Sequence, residues 1–337
     1  MTWGRLISCH LVALLALVAA GCGGGSSDDP VEQVSDKGGL REQVAGARNP
    51  TAGDFPAPAG KTLQELANQV GGAGPQMAMA NSVLTVGENR LAFGMIDQSG
   101  KPVYGKSAVY LAPTPDAKAL GPFPAPADVL VTSPAFRSKQ AATESDPFAA
   151  VYGADVRFSK PGRWTVMAVT QSGGRLVAAP GELKVTTKRK DLVPDLGEAA
   201  PRVETDTVAS AKGDEEAVDT RIPTAPELHQ ESFADVVGKK PVALLFATPQ
   251  LCESRVCGPV TDIALQMKAK YGDRMTFIHQ EVYKDNDPNK GLRPPLQQFN
   301  LRSEPWLFVV GADGKVTSRL EGSFGLKSFE DAIKTAL

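Results

Sequence analysis

The sequence is poor in the residues from which metal centres and disulfide frameworks are built. Its 337 residues include 4 cysteines and 3 histidines, His10, His229 and His279. Only two of the cysteines fall in the region where strand and helix patterns alternate. That supply argues against a dedicated zinc centre, and no metal or other cofactor is expected. An excess of charge of one sign is also missing. With 36 basic and 38 acidic residues the net charge is -2, which gives no support to a nucleic-acid partner. The apolar run from Leu6 to Ala20 is short for a membrane span.

Glycine and proline, by contrast, are plentiful, at 33 and 26 residues. They gather outside the periodic segments, which points to tethers and turns. The hydrophobic share of 42% is ordinary for globular protein, and the chain is long enough for two domains plus spacers.

Residues 1–21 read as an export signal, with Arg5 in the charged region, the Leu6–Ala20 apolar run and a small-residue close at Ala19-Ala20-Gly21-Cys22. That close resembles the bacterial lipobox, which implies a lipid on Cys22. It departs from the motif at Ala19, where leucine is usual; Leu17 stands two residues earlier. An ordinary secretory signal is the alternative. Residues 22–76, rich in Gly, Ser, Asp, Ala and Pro, read as a flexible tether between membrane and folded domain. Leu63, Leu66 and Val70 mark a short helix within it.

Over 77–188 the apolar period becomes two. Leu91, Phe93 and Met95 alternate along one strand, Tyr152, Ala154, Val156 and Phe158 along a second, and Trp164, Val166 and Ala168 along a third. Short strands punctuated by Gly and Pro predict an all-β sandwich of immunoglobulin-like type. The Lys160-Pro161-Gly162-Arg163-Trp164 stretch resembles a hairpin of bacterial immunoglobulin-like modules. Gln76-Met77-Ala78-Met79 reads as core or edge filler rather than a soft-metal motif. Residues 189–226 are charged and aperiodic, and Asp214-Glu215-Glu216 predicts a solvated linker.

From 227 to 337 strands and helices alternate: a strand at 241–247, a helix to Tyr271, a strand at 275–283, a short helix at 296–300 and a hairpin turning at Ala312-Asp313-Gly314. A last helix carries Phe329, Ala332, Ile333, Ala336 and Leu337 on one face, with Ser328 as its predicted cap. This is an α/β pattern. At its centre, the run Ala243–Ala247 leads through Thr248-Pro249 to Cys252 and then Cys257-Gly258-Pro259 at a helix start. A thiol there meets free helix amides and the positive end of the helix dipole. Two cysteines five apart in a regular helix would lie beyond disulfide reach. Bridging them therefore requires Cys252 to sit in a loop folded back over the helix end, with Glu253, Ser254 and Arg255 forming the turn.

The pieces Leu245-Phe246-Ala247, Cys257-Gly258-Pro259 and Ser303-Glu304-Pro305-Trp306 resemble the thioredoxin-like family. The resemblance implies a thioredoxin-like domain over 227–337, a cis proline at Pro305 facing the sulfurs, and supporting roles for Gly258 and Pro259. The departures are Val260 in place of the second cysteine, the upstream Cys252, and Leu244 near the place where thioredoxins hold a buried carboxylate. Ser254, three residues before Cys257, is similar to the peroxiredoxin motif, although Pro249 is offset from it. The C-x-x-x-C of copper chaperones for cytochrome oxidase assembly is one residue shorter, and His279 comes earlier than their ligand.

The expected function is thiol–disulfide exchange with protein thiols outside the cytoplasm, by a membrane-anchored protein. Cys257 is expected to attack, Cys252 to resolve and Arg255 to help lower a thiol pKa. The opposite assignment, with Cys252 attacking, stands beside it. An envelope adaptor whose cysteines form an inert structural disulfide is the alternative function. His229 and His279 are expected to be surface or satisfied strand residues, Glu304 an exposed or substrate-steering carboxylate, and Trp306 core.

Overall fold

The computed structural model describes Met1 and residues 29–71, 74–142 and 148–337. The segment expected to direct export, His10 and Cys22 lie outside the described residues. None of the described helices is long and apolar enough to cross a membrane.

Residues 29–71 carry two short helices, α1 (Leu40–Ala47) and α2 (Leu63–Val70). Thr62 and Glu65 form a reciprocal capping box at the start of α2. The tether expected here is corrected over 29–71, because apolar residues scattered between its polar ones are buried. Val31, Val34, Val44 and Ala47 join the main core, while Phe55, Leu63 and Leu66 pack on the outer face of a sheet.

Eight strands follow: β1 (Gln76–Met79), β2 (Gly87–Ile96), β3 (Ser107–Ala112), β4 (Leu120–Pro124), β5 (Ala127–Val129), β6 (Ala150–Phe158), β7 (Gly162–Ser172) and β8 (Arg175–Val185). They form two four-stranded sheets, ordered β1-β2-β6-β5 and β4-β3-β7-β8. The alternating residues read from the sequence point inward. Leu91, Phe93 and Met95 share one core with Ala154, Val156, Phe158, Trp164, Val166 and Ala168. Burying a side chain of this size contributes roughly 1.5–3 kcal/mol. β7 and β8 join through Gly173-Gly174, whose φ angles of 56° and 78° are those of a tight hairpin turn that only glycine adopts freely.

The 189–226 segment departs from expectation in part. Its acidic run Asp214-Glu215-Glu216 does lie largely in solvent, but Val203, Thr205, Val218, Asp219, Arg221 and Ala225 are buried. It is a strap packed on the last unit.

That unit has the sheet order β10-β9-β11-β12, with β9 Val242–Phe246, β10 Thr276–Gln280, β11 Trp306–Val310 and β12 Val316–Glu321. β9 runs parallel to β10 and antiparallel to β11. Its helices are α3 (Phe233–Val236), α4 (Cys257–Tyr271), α5 (Pro294–Gln298) and α6 (Leu326–Lys334). Ala243, Leu245 and Ala247 pack with Val260, Ile263, Met267, Phe329 and Ile333 on one face. Val242, Leu244 and Phe246 pack with Phe233, Phe299 and Phe308 on the other. Strand, helix, strand, short helix, hairpin and last helix follow in the order that the sequence pattern suggested.

One apolar core runs through the sandwich and into this unit. The α6 start shows how closely they are joined. Asp128 of β5 accepts the N–H groups of Gly325 (2.9 Å), Lys327 (3.0 Å) and Ser328 (3.0 Å). The predicted Ser328 cap is thus corrected. The cap position is Gly325, three residues earlier, and a carboxylate from the other sheet system satisfies the free amides.

Candidate functional site

The loop between β9 and α4 exists because Thr248-Pro249 ends the strand and Gly258-Pro259 suits the first turn of a helix. Between them Arg255, exposed, takes a left-handed φ of 61° and turns the chain back. Cys252 and Cys257 are thereby joined in a disulfide, their Cα atoms 6.0 Å apart. Cys257 is the first residue of α4, whose N-terminus has no side-chain cap. A thiolate released there would meet unpaired helix amides.

The two sulfurs differ in access. Cys257 is 0% exposed, whereas Cys252 is half-buried and its Sγ lies 3.2 Å from Ser254 Oγ. The start of α4 is also approached from outside the unit, at Gly258. A Cβ on Gly258 would fall 2.5 Å from Gln140 Cβ, so glycine is needed for this close approach. Gln140 is held in turn by the strap: Lys139 N–H donates to the Ile222 carbonyl (2.7 Å), and Ile222 N–H donates to Gln140 Oε1 (3.2 Å).

Pro305 precedes β11, and the Trp306–Phe246 register puts it at the sheet end from which the cysteine loop leaves. The Glu304–Pro305 bond is cis. Glu304 is half-buried, and burial first, then the charge of Glu253, raises its carboxyl. Glu253, next to Cys252 in the chain, thus acts on Glu304, and the Tyr283 phenol is raised by burial and then by both carboxylates. Trp306 is core, as expected, stacked on Phe308 at 5.6 Å. Leu244 points into the opposite core, away from the loop.

Behind the loop lies a polar interior that the sequence reading missed. Arg221 Nε donates to Asp262 Oδ1 (2.8 Å), both groups being buried. Burial raises Asp262, against the Ser138 N–H and Arg221 that favour its charge. Glu281, one residue past β10, accepts the N–H (2.8 Å) and hydroxyl (2.7 Å) of Thr220. Burial nevertheless pushes its carboxyl up to about 7. His279 is a strand residue with both ring nitrogens hydrogen-bonded, as expected, whereas His229 is corrected, being buried in a turn; their rings are 5.0 Å apart, and Asp219 completes the cluster. Burial pushes His279 down to about 4, so its imidazole is neutral at pH 7. The signal available was thin: two histidines 50 residues apart and an aspartate in an aperiodic strap.

No protein-family model matches the chain, and no curated protein matches it. Among solved structures, a chain described as thiol:disulfide interchange protein DsbE from Chlorobium tepidum is similar at TM-score 0.31 and 18% identity, covering 42% of this chain and 98% of that one. A thiol:disulfide interchange protein of the thioredoxin family from Chlorobium tepidum TLS is similar at TM-score 0.28 and 17% identity, covering 43% of this chain and 99% of that one. The Lin-41 filamin domain is similar at TM-score 0.20 and 10% identity, covering 34% of this chain and 98% of that one.

Proposed function

We propose that the protein is an extracytoplasmic thiol–disulfide oxidoreductase working through Cys252 and Cys257. It would be tethered to the membrane through Cys22 and carry its exchange unit behind an immunoglobulin-like sandwich. The observation that carries the reading is the contrast within one disulfide: a half-buried cysteine in a turn, bonded to a fully buried one at an uncapped helix start.

That contrast reverses the expected roles. Cys252 is the sulfur a client can approach, and Cys257 is the resolving partner. In the reducing direction the Cys252 thiolate attacks a client disulfide. A mixed disulfide forms, and one client sulfur leaves as thiolate and takes a proton. The Cys257 thiolate then attacks Cys252 Sγ and releases the second client thiolate. Two electrons pass to the client and the protein's disulfide closes; oxidation of a client dithiol is the same path reversed. The helix amides and dipole favour the Cys257 thiolate during the second step.

The test is trapping in the native envelope. Cys257→Ser leaves Cys252 free and accumulates mixed disulfides with client proteins, while Cys252→Ser accumulates few. Traps on neither variant would refute exchange, and traps only on Cys252→Ser would restore the sequence-based assignment. Membrane fractionation with and without Cys22→Ala tests the anchor.

A further inference from the structure

Apart from the cysteine loop, one cluster of imidazole and carboxylate side chains converges in the buried interior. We propose that Asp219, His229 and His279 form a binding site for a divalent transition-metal ion of the zinc class. The site rests on different residues and different chemistry from the disulfide exchange above.

The donor atoms lie at coordination spacing. His229 Nε2 is 3.2 Å from His279 Nδ1 and 3.6 Å from Asp219 Oδ2, and His279 Nδ1 is 3.7 Å from Asp219 Oδ1. Zinc bonds of about 2.0–2.1 Å in a tetrahedron place ligand atoms about 3.3–3.4 Å apart. The two histidine nitrogens are near that spacing, and each is within about 0.4 Å of it from one oxygen of Asp219, the two oxygens being different.

His279 Nε2 lies 3.0 Å from the Ala247 carbonyl. A carbonyl only accepts, so the ring's proton is on Nε2 and Nδ1 is bare. Asp219 Oδ1 and Oδ2 already accept the N–H groups of Arg221 (2.9 Å) and Ala225 (2.7 Å), which fixes the carboxylate's orientation. With its proton on Nε2, His229 would close one internal hydrogen bond to His279 Nδ1 (3.2 Å); with its proton on Nδ1, three lone-pair-bearing groups face one another. The nearest cation does not serve, because the Arg221 guanidinium is committed to Asp262 (2.8 Å) and to the carbonyls of Pro223 (2.5 Å) and Phe136 (2.7 Å). His229 Nδ1 is buried with no hydrogen-bond partner among the described residues, and ion binding through Nε2 would place the ring's proton there.

A dipositive ion at the convergence point would satisfy the buried carboxylate and both lone pairs together. Two imidazoles and one carboxylate suit zinc and its neighbours rather than calcium or magnesium. The Ala247 carbonyl is the kind of outer partner that fixes a ligating histidine's tautomer. A surface groove of about 680 Å³ reaches Asp219, with Thr220, Arg221, Gln250 and Leu251 also in its lining. With three protein ligands, the fourth tetrahedral position would fall to water or another small ligand.

The test uses the purified full-length protein with its disulfide oxidised, stripped with a chelator and titrated with Zn²⁺. One Zn²⁺ per chain is expected by elemental analysis, with a rise in Tm. The ring ¹⁵N resonances of two of the three histidines should shift. Asp219→Asn and His229→Gln should weaken binding by more than the roughly 10–100-fold that loss of an outer partner costs. A Cys252→Ser/Cys257→Ser double variant should keep the full stoichiometry. The ring resonances are read in the wild type, so variants that fail to fold leave the proposal open to refutation. No bound Zn²⁺, unmoved histidine resonances, or binding that vanishes with the cysteines would each overturn it. None of these outcomes bears on whether the cysteine pair exchanges disulfides.

Discussion

The sandwich and the α/β unit, with the strap on it, fill their interiors with different chemistry. Between its sheets the sandwich buries mainly aliphatic and aromatic side chains, with polar exceptions such as the Ser107–Thr170 hydroxyl pair (2.9 Å). The α/β unit and its strap bury Asp219, Asp262, Glu281 and Glu321 together with Arg221, His229 and His279. Each buried charge has a desolvation cost that only good partners offset, so replacing a paired set by apolar residues is often neutral or stabilising. An interior of this kind is poor evidence for stability. We read it as the mark of the unit in which chemistry is sited, and the sandwich as the apolar platform against which that unit is fixed.

The sharpest way to break this comparison is at the Arg221–Asp262 pair. Arg221→Met leaves Asp262 buried without its cation and is expected to cost about 3–5 kcal/mol in urea unfolding. The double variant Arg221→Met/Asp262→Leu should recover most of that loss. A single variant that costs less than about 1 kcal/mol would show that the polar interior is wetter than its burial implies. In the sandwich the corresponding change is Leu91→Ala, which removes fully buried apolar volume. It should cost about 3 kcal/mol, with no second substitution nearby able to restore it by matching charge.

The joint between the units comes next in size. Asp128→Ala strips the α6 start of its acceptor and is expected to cost about 1–2 kcal/mol. The loss should appear first as faster amide exchange at Gly325, Lys327 and Ser328. The smallest effect is expected at the α4–α6 surface, where Glu330 accepts from Lys270 at 2.7 Å and from the Tyr271 hydroxyl. Burial opposes the Glu330 charge, but Lys270 and Tyr271 outweigh it and hold the carboxyl down to about 2. A lowered folded-state pKa contributes stability above the ordinary carboxylate range and loses it as pH falls toward 2. Glu330→Gln should therefore cost less than about 1 kcal/mol at pH 7, and the difference from wild type should vanish near pH 2.

What the sequence disclosed follows the same division. Period-two alternation exposed the sandwich strands, because one face of each had to be apolar. The spacing of Val260, Ile263, Ala264 and Met267 exposed α4, and the cysteine loop was legible from a strand, a break and a Gly-Pro in order. The strap was not, because Val203, Val218 and Ala225 follow no period and its acidic run reads as solvent-facing. The imidazole–carboxylate cluster was hidden for a related reason: it draws one residue from the strap, one from a turn before α3 and one from β10. Asp128 as a helix cap was equally out of reach, lying about 200 residues from the amides it serves.

The reduction potential of the Cys252–Cys257 pair, measured by equilibration with a glutathione or dithiothreitol buffer, tests the central claim most directly. The account predicts a value within the range of working oxidoreductases, roughly -270 to -120 mV. A value well below about -300 mV would mark a bond made once and kept, and would contradict it.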